Sequence, residues 1–310
     1  MPIPTEVTPL GVGGAIPTRD RHLTAFALRR EGRVLLFDCG EGTQLQLLRA
    51  GLLGAKLEAV FITHLHGDHF YGLPGLLSTL ALLERAAPLT VVGPEGLTAL
   101  LNAAPGAHPG HLPYPVHITE WSGTASHQTV YATDAFHVEA RPLSHRIACM
   151  GYRYQEASRP GRFDVEAARA EGVQAGPDFE ILANGGSVTV DGREVRSEGI
   201  VGPERPGTTI AYCLDTAPCD GAVALAQGAD LLIHDATFAD ADADRAEATA
   251  HSTARQAAET ARQAGARQLL LTHFSARYTE TDDLVAQARE VFPATTAAEE
   301  LVMVPVEPTD

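Results

Sequence analysis

The sequence predicts a layered α/β fold, because strand-like and helix-like runs alternate along it. The first half carries apolar, strand-like runs at residues 7–11, 33–38 and 89–93, and helix-like runs at residues 41–50, 76–87 and 96–102. In the second half, three strands are predicted at residues 208–214, 229–233 and 267–271, and each leads into an Asp or a His. Such side chains, at the ends of strands far apart in sequence, suit a site on the rim of a β-sandwich.

The other elements are predicted from the same patterns. A short buried strand is expected at residues 60–62, a longer one at 130–137, and a third at 141–145 that ends in a histidine. Two helices are expected near the C-terminus, at residues 252–264 and 281–290.

Residues 160–206 differ in character from the rest of the chain. Their edges are rich in Pro and Gly, Gly176-Pro177 interrupts them, and residues 186–196 have the pattern of a β-hairpin. We therefore predict one domain over residues 1–310, with this segment as an inserted arm.

Composition limits the class of protein. With 45% hydrophobic residues, the 310-residue chain can bury a sizeable core, and no apolar run approaches the roughly 20 residues that a membrane span needs. The N-terminal residues lack the basic and apolar regions of a secretory signal, which predicts a soluble, cytoplasmic protein. The four cysteines form no C-x-x-C pair and are interpreted as core thiols.

The charge argues against non-specific binding of nucleic acid. The net charge is −16, and Lys56 is the only lysine. Affinity for phosphates comes mostly from clustered positive charge, which the chain as a whole lacks. One local basic patch is predicted near the N-terminus from Arg19, Arg21, Arg29, Arg30 and Arg33.

The chemistry is predicted to centre on residues 58–75. Four side chains able to bind a metal fall within six positions there: His64, His66, Asp68 and His69. Two histidines that alternate on an extended backbone point the same way and form half of a tetrahedral zinc site. Gly67 allows a tight bend, after which the other two can turn toward a second ion about 3.5–4 Å away. The pattern predicts a dinuclear metal centre.

Other polar residues are assigned by their context. Asp38 lies at the end of a predicted strand. It would either accept hydrogen bonds from the metal loop, which we define as residues 64–69, or act in catalysis. His145 is the candidate for a third imidazole, and His137 competes with it. Three further histidines lie in a Pro- and Gly-rich stretch and are predicted to be surface residues: His108, His111 and His117.

The H-x-H-x-D-H pattern at residues 64–69 resembles the signature of the metallo-β-lactamase superfamily. The residues that follow it, Phe-Tyr-Gly-Leu-Pro-Gly-Leu-Leu at 70–77, resemble more specifically the ribonuclease Z family of tRNA 3′-processing endonucleases. The resemblance runs nearly end to end, from Leu10 to Tyr278. It implies a four-layer αββα sandwich with a protruding arm. It also implies a homodimeric, zinc-dependent endoribonuclease that removes 3′ trailers from precursor tRNA, leaving a tRNA 3′-hydroxyl and a 5′-phosphorylated trailer.

The resemblance also implies two Zn²⁺ ions per subunit, with Mn²⁺ as the alternative. The first ion would be bound by His64, His66 and His145, and the second by Asp68, His69 and His273. The bridging ligand would be Asp215. A water shared by both ions would attack the phosphate as hydroxide.

Two proton-transfer roles follow from the resemblance. Asp68 would accept the proton of the attacking water, and His251, held by Asp235, would donate a proton to the leaving oxygen. Residue 235 is Asp where the family has Glu, so this contact is expected to need a small backbone shift or a water bridge.

Substrate contacts are implied for Arg21, Arg277 and Tyr278 near the metals, and for Gly176 and Pro177 in the arm. The arm departs from the family because it lacks the usual basic cluster. The main alternative is a phosphodiesterase of the same fold that acts on small or cyclic diesters, which the acidic arm favours. A tRNA- or metal-binding protein without turnover is disfavoured by the complete ligand set and His251. A redox di-iron protein is disfavoured because that branch of the superfamily usually has Glu at the position of His66.

Overall fold

The computed structural model describes residues 5–53, 56–122 and 127–308. The chain forms two compact units. The larger one extends to Thr133 and also includes His137–Gln155 and Thr208–Glu307, and the smaller one consists mainly of Glu156–Gly207. Strands and helices are numbered below in chain order. No helix of the described residues is long and apolar enough to cross a membrane.

The first sheet of the larger unit has seven strands. In spatial order they are β18 (Val304–Val306), β1 (Thr5–Gly11), β3 (Ala25–Arg30), β4 (Arg33–Phe37), β5 (Lys56–Phe61), β6 (Leu89–Pro94) and β7 (Val116–Trp121). Strands β18, β1, β3 and β4 pair antiparallel, whereas β4 to β7 pair in parallel. The parallel strands therefore end at one edge of the sheet.

The second sheet also has seven strands, from β17 (Thr295–Ala297) through β15 (Leu269–Thr272), β14 (Leu231–Asp235), β13 (Thr209–Cys213), β10 (Met150–Glu156) and β9 (Phe136–Pro142) to β8 (Gln128–Ala132). Strands β13, β14, β15 and β17 run parallel. A short parallel pair, β2 (Gly13–Gly14) and β16 (Phe274–Ser275), joins the N-terminal loop to the segment after β15.

Seven helices of at least six residues pack in the described part of the larger unit, together with the one-turn helix α2 (Gly67–Phe70). They are α1 (Thr43–Arg49), α3 (Gly72–Leu82), α4 (Leu97–Asn102), α7 (Asp220–Ala226), α9 (Ala254–Ala264) and α10 (Asp282–Arg289), with α8 (Ala243–Thr249) preceding α9. Helices α1, α3 and α4 share a buried core with the first sheet, whereas α7 and α9 pack beside strands of the second. The larger unit therefore has four layers, in the order helices, first sheet, second sheet, helices.

The two sheets pack against each other through aromatic rings. Phe37 and Phe61 of the first sheet stack with ring centroids 5.0 Å apart, and each lies 5.4 Å from a tyrosine of the second sheet, Tyr212 and Tyr152 respectively. Both tyrosine hydroxyls reach across the interface, where Tyr152 donates to the Ile62 carbonyl at 2.6 Å. Buried tyrosines need such partners, and here they also fix the chain next to the metal loop.

The predicted strand at residues 130–137 is wrong, because the chain turns between β8 and β9 and the two pair as an antiparallel hairpin. The strand predicted at residues 141–145 is wrong too. Only its first two residues are in a strand, as the end of β9, which stops at Pro142 because this residue has no amide proton for further pairing. The helix predicted at 76–87 is α3, which begins earlier at Gly72 and ends at Leu82, because Glu84 has a left-handed conformation.

The smaller unit has its own core. Helices α5 (Val165–Ala170) and α6 (Pro177–Ala183) and the hairpin of β11 (Ser187–Val190) and β12 (Arg193–Arg196) bury Ala168, Val173, Leu182, Val188, Val195 and Ile200. Asp164 caps α5 by accepting from the Glu166 and Ala167 amides. The predicted hairpin is confirmed.

Candidate metal centre

The rim of the sandwich gathers polar side chains from both sheets. The loop after β5 provides residues 64–69, and the chain between β9 and β10 provides His145. The ends of β13, β14 and β15 provide Asp215, Asp235 and His273. Parallel strands bring their carboxyl ends to one edge of a sheet, which explains why residues so distant in sequence meet.

A first group contains His64, His66, His145 and Asp215, whose donor atoms all lie within 4.8 Å of one another. His66 faces the group through Nδ1, which is 2.9 Å from Nε2 of His64 and 3.4 Å from Nε2 of His145. The competing candidate, His137, is not in this group and lies 3.6 Å from Glu139 on β9.

A second group contains Asp68, His69, Asp215 and His273, again within 4.8 Å. Nε2 of His69 lies 3.2 Å from Nε2 of His273 and 3.3 Å from Oδ2 of Asp215. The backbone of β2 packs directly against the His273 ring, where a side chain at Gly14 would clash. Asp215 belongs to both groups, as a bridging carboxylate must.

The chemistry of these residues fits two cations. In four of the histidines, Nδ1 faces away from the groups and lies at hydrogen-bond distance from an oxygen. These contacts are His69 with Asp38 at 2.8 Å, His145 with the Ala250 carbonyl at 2.9 Å, His273 with Thr237 at 2.8 Å and His64 with Thr63 at 3.0 Å. Each Nε2 therefore presents a lone pair to its group. Oδ1 of Asp215 is buried without a hydrogen bond. Nitrogen and carboxylate donors of this kind suit Zn²⁺ or Mn²⁺.

Asp38 lies behind the cluster rather than in it. Its buried carboxylate accepts hydrogen bonds from the amide and hydroxyl of Thr63, from Nδ1 of His69 and from the Tyr212 hydroxyl, at 2.8–2.9 Å. Of the two roles considered for Asp38, these contacts match the structural one, in which it orients the metal loop.

A third group joins His251 and Asp235 to the cluster. Nδ1 of His251 lies 2.7 Å from Oδ2 of Asp235, and its Nε2 lies 3.9 Å from Oδ2 of Asp215. Of the two arrangements expected for this contact, the water bridge is not needed, because the shorter Asp235 side chain reaches the imidazole directly. Burial lowers the pKa of His251, but the Asp235 carboxylate outweighs it and raises the pKa to about 9.

The position of His251 is fixed by its neighbours in sequence. Thr253 caps α9 in a reciprocal pair of hydrogen bonds with Gln256, and the Ser252 hydroxyl donates to the Thr216 carbonyl at 2.7 Å. The two residues that follow His251 are thus both fixed by hydrogen bonds.

Thr237 is a site residue that the sequence analysis missed. Its hydroxyl donates to Oδ1 of Asp235 at 2.6 Å and accepts from Nδ1 of His273 at 2.8 Å. It therefore connects the carboxylate that holds His251 to a residue of the second group. The signal was present, since Thr237 closes the His-Asp-Ala-Thr run at residues 234–237.

The three residues predicted to contact substrate near the metals have partners within the protein. Arg21 donates to the carbonyls of Tyr278 and Thr279 at 2.6 and 2.8 Å. The Tyr278 hydroxyl and Nη1 of Arg277 lie 2.5 and 3.2 Å from the Asp242 carboxylate. These contacts fasten the loop after β16 to the N-terminal loop and to the start of α8. Gly176 and Pro177 begin α6 in the smaller unit.

Histidines outside the groups have other partners. His108 and His111 stack on each other, with ring centroids 4.3 Å apart, and His117 lies on β7. His22 contacts Glu300 with its backbone amide and with Nδ1.

The fold and the cluster define this chain as a metallo-β-lactamase-type protein. The model of the metallo-β-lactamase superfamily matches residues 19–92, and that of a β-lactamase superfamily domain matches residues 178–274. The chain is 56% identical to ribonuclease Z of Salinibacter ruber, over 98% of this chain and 95% of that protein, and 46% identical to ribonuclease Z of Bacillus licheniformis, over 94% and 96%. It belongs to the ribonuclease Z family.

The solved structures agree with this assignment. The crystal structure of the short form of human tRNase Z is 31% identical, covers 97% of this chain and 99% of its own, and superposes with a TM-score of 0.69. A metallo-β-lactamase-fold protein of Bacillus subtilis, at 20% identity and a TM-score of 0.67, shares the fold. The predicted αββα architecture is confirmed.

Proposed function

We propose that this chain is a metal-dependent endoribonuclease that removes 3′ trailers from precursor tRNA and leaves a tRNA 3′-hydroxyl and a 5′-phosphorylated trailer. The observation that carries the proposal is the geometry of the rim, where two groups of metal-binding side chains share Asp215 and the His251–Asp235 pair lies beside them. The names of the relatives favour this activity over the small-diester phosphodiesterase considered above.

We assign two Zn²⁺ ions per subunit, with Mn²⁺ as the alternative. Bound there, they would activate a water as nucleophile and neutralise the charge that develops on the phosphoryl oxygens. His64, His66 and His145 would hold one ion, Asp68, His69 and His273 the other, and Asp215 both. The nitrogen and oxygen donors, and the buried Asp215 oxygen without a hydrogen bond, support this assignment.

Asp68 is assigned as the residue that orients the attacking water and accepts its proton. Burial would raise the pKa of this carboxyl, but its hydrogen bond and charge contact with His273 and the charge of His69 hold the pKa below its usual value. Asp68 therefore stays ionised. The Ala15 amide fixes it further by donating to Oδ2 at 2.7 Å.

His251 is assigned as the general acid. Cleavage that leaves a 3′-hydroxyl breaks the bond between phosphorus and the ribose 3′-oxygen, and that oxygen must gain a proton as it leaves. The Asp235 carboxylate keeps His251 protonated and turns its Nε2 toward the shared Asp215, where the phosphate would lie. Asp235 acts through His251 and is a positioning residue.

We propose that the smaller unit is the tRNA exosite and that the protein acts as a cytoplasmic homodimer. Residues 161–200 contain four Arg and eight Asp or Glu, a local charge of −4, so the contacts to RNA would be made mostly by backbone amides around Gly176 and Gly186. Two exposed leucines on α1, Leu45 and Leu48, are 54% and 62% exposed and provide an apolar surface that a second copy would cover.

One experiment tests the proposed function. A single preparation of known metal content is given a precursor tRNA and bis(p-nitrophenyl) phosphate, with His251→Ala as the matched variant. The wild type should cut at the tRNA 3′ end and leave a 3′-hydroxyl. His251→Ala should lose about 10²–10⁴-fold in kcat on the RNA and much less on the ester, whose phenol leaves without a proton. Hydrolysis of the ester with uncut precursor tRNA would contradict the proposal.

A further inference from the structure

Tyr71 is unusual among the aromatic residues of this chain. The seven tyrosines, ten phenylalanines and one tryptophan all lie in the described part of the chain, and Tyr71 is the only one that is largely exposed, at 67%. Exposing a large aromatic side chain forgoes the stability that its burial would add. The fold itself gives no reason for a tyrosine here.

The place of Tyr71 is beside the metal centre. It lies between α2 and α3, and its ring packs against Gly67, where a Cβ would come within 2.5 Å of the ring carbon Cε2. Gly67 separates His66, of the first group, from Asp68, of the second. The ring is thus held next to both groups while most of its surface is open to solvent.

A second exposed apolar side chain is tied to the same point. Ile16 is 60% exposed and follows Ala15, whose amide donates to Oδ2 of Asp68 at 2.7 Å. Ile16 is therefore next to a residue that contacts Asp68, and the Tyr71 ring contacts Gly67. Both side chains are exposed to solvent.

We propose that Tyr71 stacks on the nucleobase of a nucleotide that flanks the scissile phosphate, with Ile16 contacting the same nucleotide. The inference rests on the proposed function and names the part of the substrate that this surface takes. A phosphate bound at the two groups brings its neighbouring nucleotides to the rim of the site. A base offers a flat surface to an aromatic ring whatever its identity, so stacking holds the RNA without reading its sequence.

The arrangement suits a chain with a net charge of −16. Stacking is insensitive to the negative charge that weakens phosphate contacts over the rest of the surface. The ring is already fixed against Gly67 before the substrate arrives, so little conformational entropy is lost when the base binds.

The test combines substitutions at residue 71 with abasic substrates. Wild type, Tyr71→Ala and Tyr71→Phe are compared on precursor tRNA and on two versions of it with an abasic residue, one on the 5′ side and one on the 3′ side of the cleaved bond. The control is Leu82→Ala, which removes an 85% exposed side chain at the far end of α3, about 15 Å along the helix.

Tyr71→Ala should lower kcat/KM on the intact RNA by about 5- to 100-fold, whereas Tyr71→Phe and Leu82→Ala should stay within about twofold of wild type. One abasic substrate should be cut slowly by the wild type and no more slowly by Tyr71→Ala, because the two changes remove the same contact.

If Tyr71→Ala lowered kcat/KM equally on the intact RNA and on both abasic substrates, the inference would be overturned and a structural role indicated. An unchanged kcat/KM on intact RNA would also overturn the inference. A wild type that leaves every RNA uncut would overturn the proposed function and this inference together. A wild type that cuts while Tyr71→Ala is unaffected overturns this inference alone.

Discussion

At the scale of single residues, the centre depends on side chains that would not bind a metal themselves. The Thr237 hydroxyl has one proton, which it gives to Asp235, so it can only accept from His273. This fixes the imidazole with its proton on Nδ1 and its lone pair on Nε2. Asp38 does the same for His69. Such outer contacts orient the ligands of a metal site and raise their basicity.

We predict that Thr237→Val lowers the affinity for Zn²⁺ by about 10–100-fold, because His273 loses the oxygen that fixes its tautomer and ring orientation. Thr237→Ser keeps the hydroxyl and should bind Zn²⁺ nearly as tightly as the wild type. Competition with a chromogenic chelator measures the Zn²⁺ affinity of both variants without relying on turnover. If Thr237→Val held Zn²⁺ as tightly as Thr237→Ser, the tautomer-fixing role would be wrong.

At this scale the sequence marks the metal-binding residues but not the contacts that hold the loops around them. The residues of the two groups were predicted and are brought together, because the motif and the strand ends mark them in the sequence. The partners of Arg21, Arg277 and Tyr278 were not predicted. Arg21 meets residues 278 and 279 only through the pairing of β2 with β16, and Asp242 lies in a segment without a strand or helix pattern of its own. Contacts over such separations depend on the fold.

At the scale of elements, the parallel strands form the sheets and their ends hold the site residues. These strands were predictable because buried parallel strands are continuous apolar runs in the sequence. The hairpin of β8 and β9 was not predictable, since no Gly or Pro marks its turn at residues 133–135. The smaller unit was recognised by its change in composition. Its ends are joined, because Arg159 and Arg205 exchange backbone hydrogen bonds of 2.8 and 2.9 Å.

This pairing of Arg159 with Arg205 defines where the smaller unit can be removed. We predict that replacing residues 160–204 by a short Gly-Ser linker leaves a folded protein, because the linker joins residues that are already neighbours. KM for precursor tRNA should rise at least about tenfold, while hydrolysis of bis(p-nitrophenyl) phosphate should stay within about twofold. Unchanged cleavage of precursor tRNA by the shortened protein would show that the smaller unit is not the exosite.

At the scale of the whole molecule, charge limits how RNA can bind. The arginines of the predicted N-terminal patch are largely neutralised, with Arg29 paired to Glu6, Arg30 to Glu31 and Arg33 to Glu58. Exposed pairs of this kind add little stability, but they reduce the positive field that phosphates would meet. Binding energy would then come mostly from the metals and from specific contacts near them.

The central claim is that two cations bound at the rim carry out the cleavage, and metal titration of the metal-free protein tests it most directly. Protein stripped by a chelator is titrated with Zn²⁺, and cleavage of precursor tRNA is followed against the number of ions bound per subunit. We expect no cleavage without metal and full activity when two ions are bound, with Asp215→Ala failing to recover at the same occupancy. Full activity with one ion per subunit, or with none, would contradict the account.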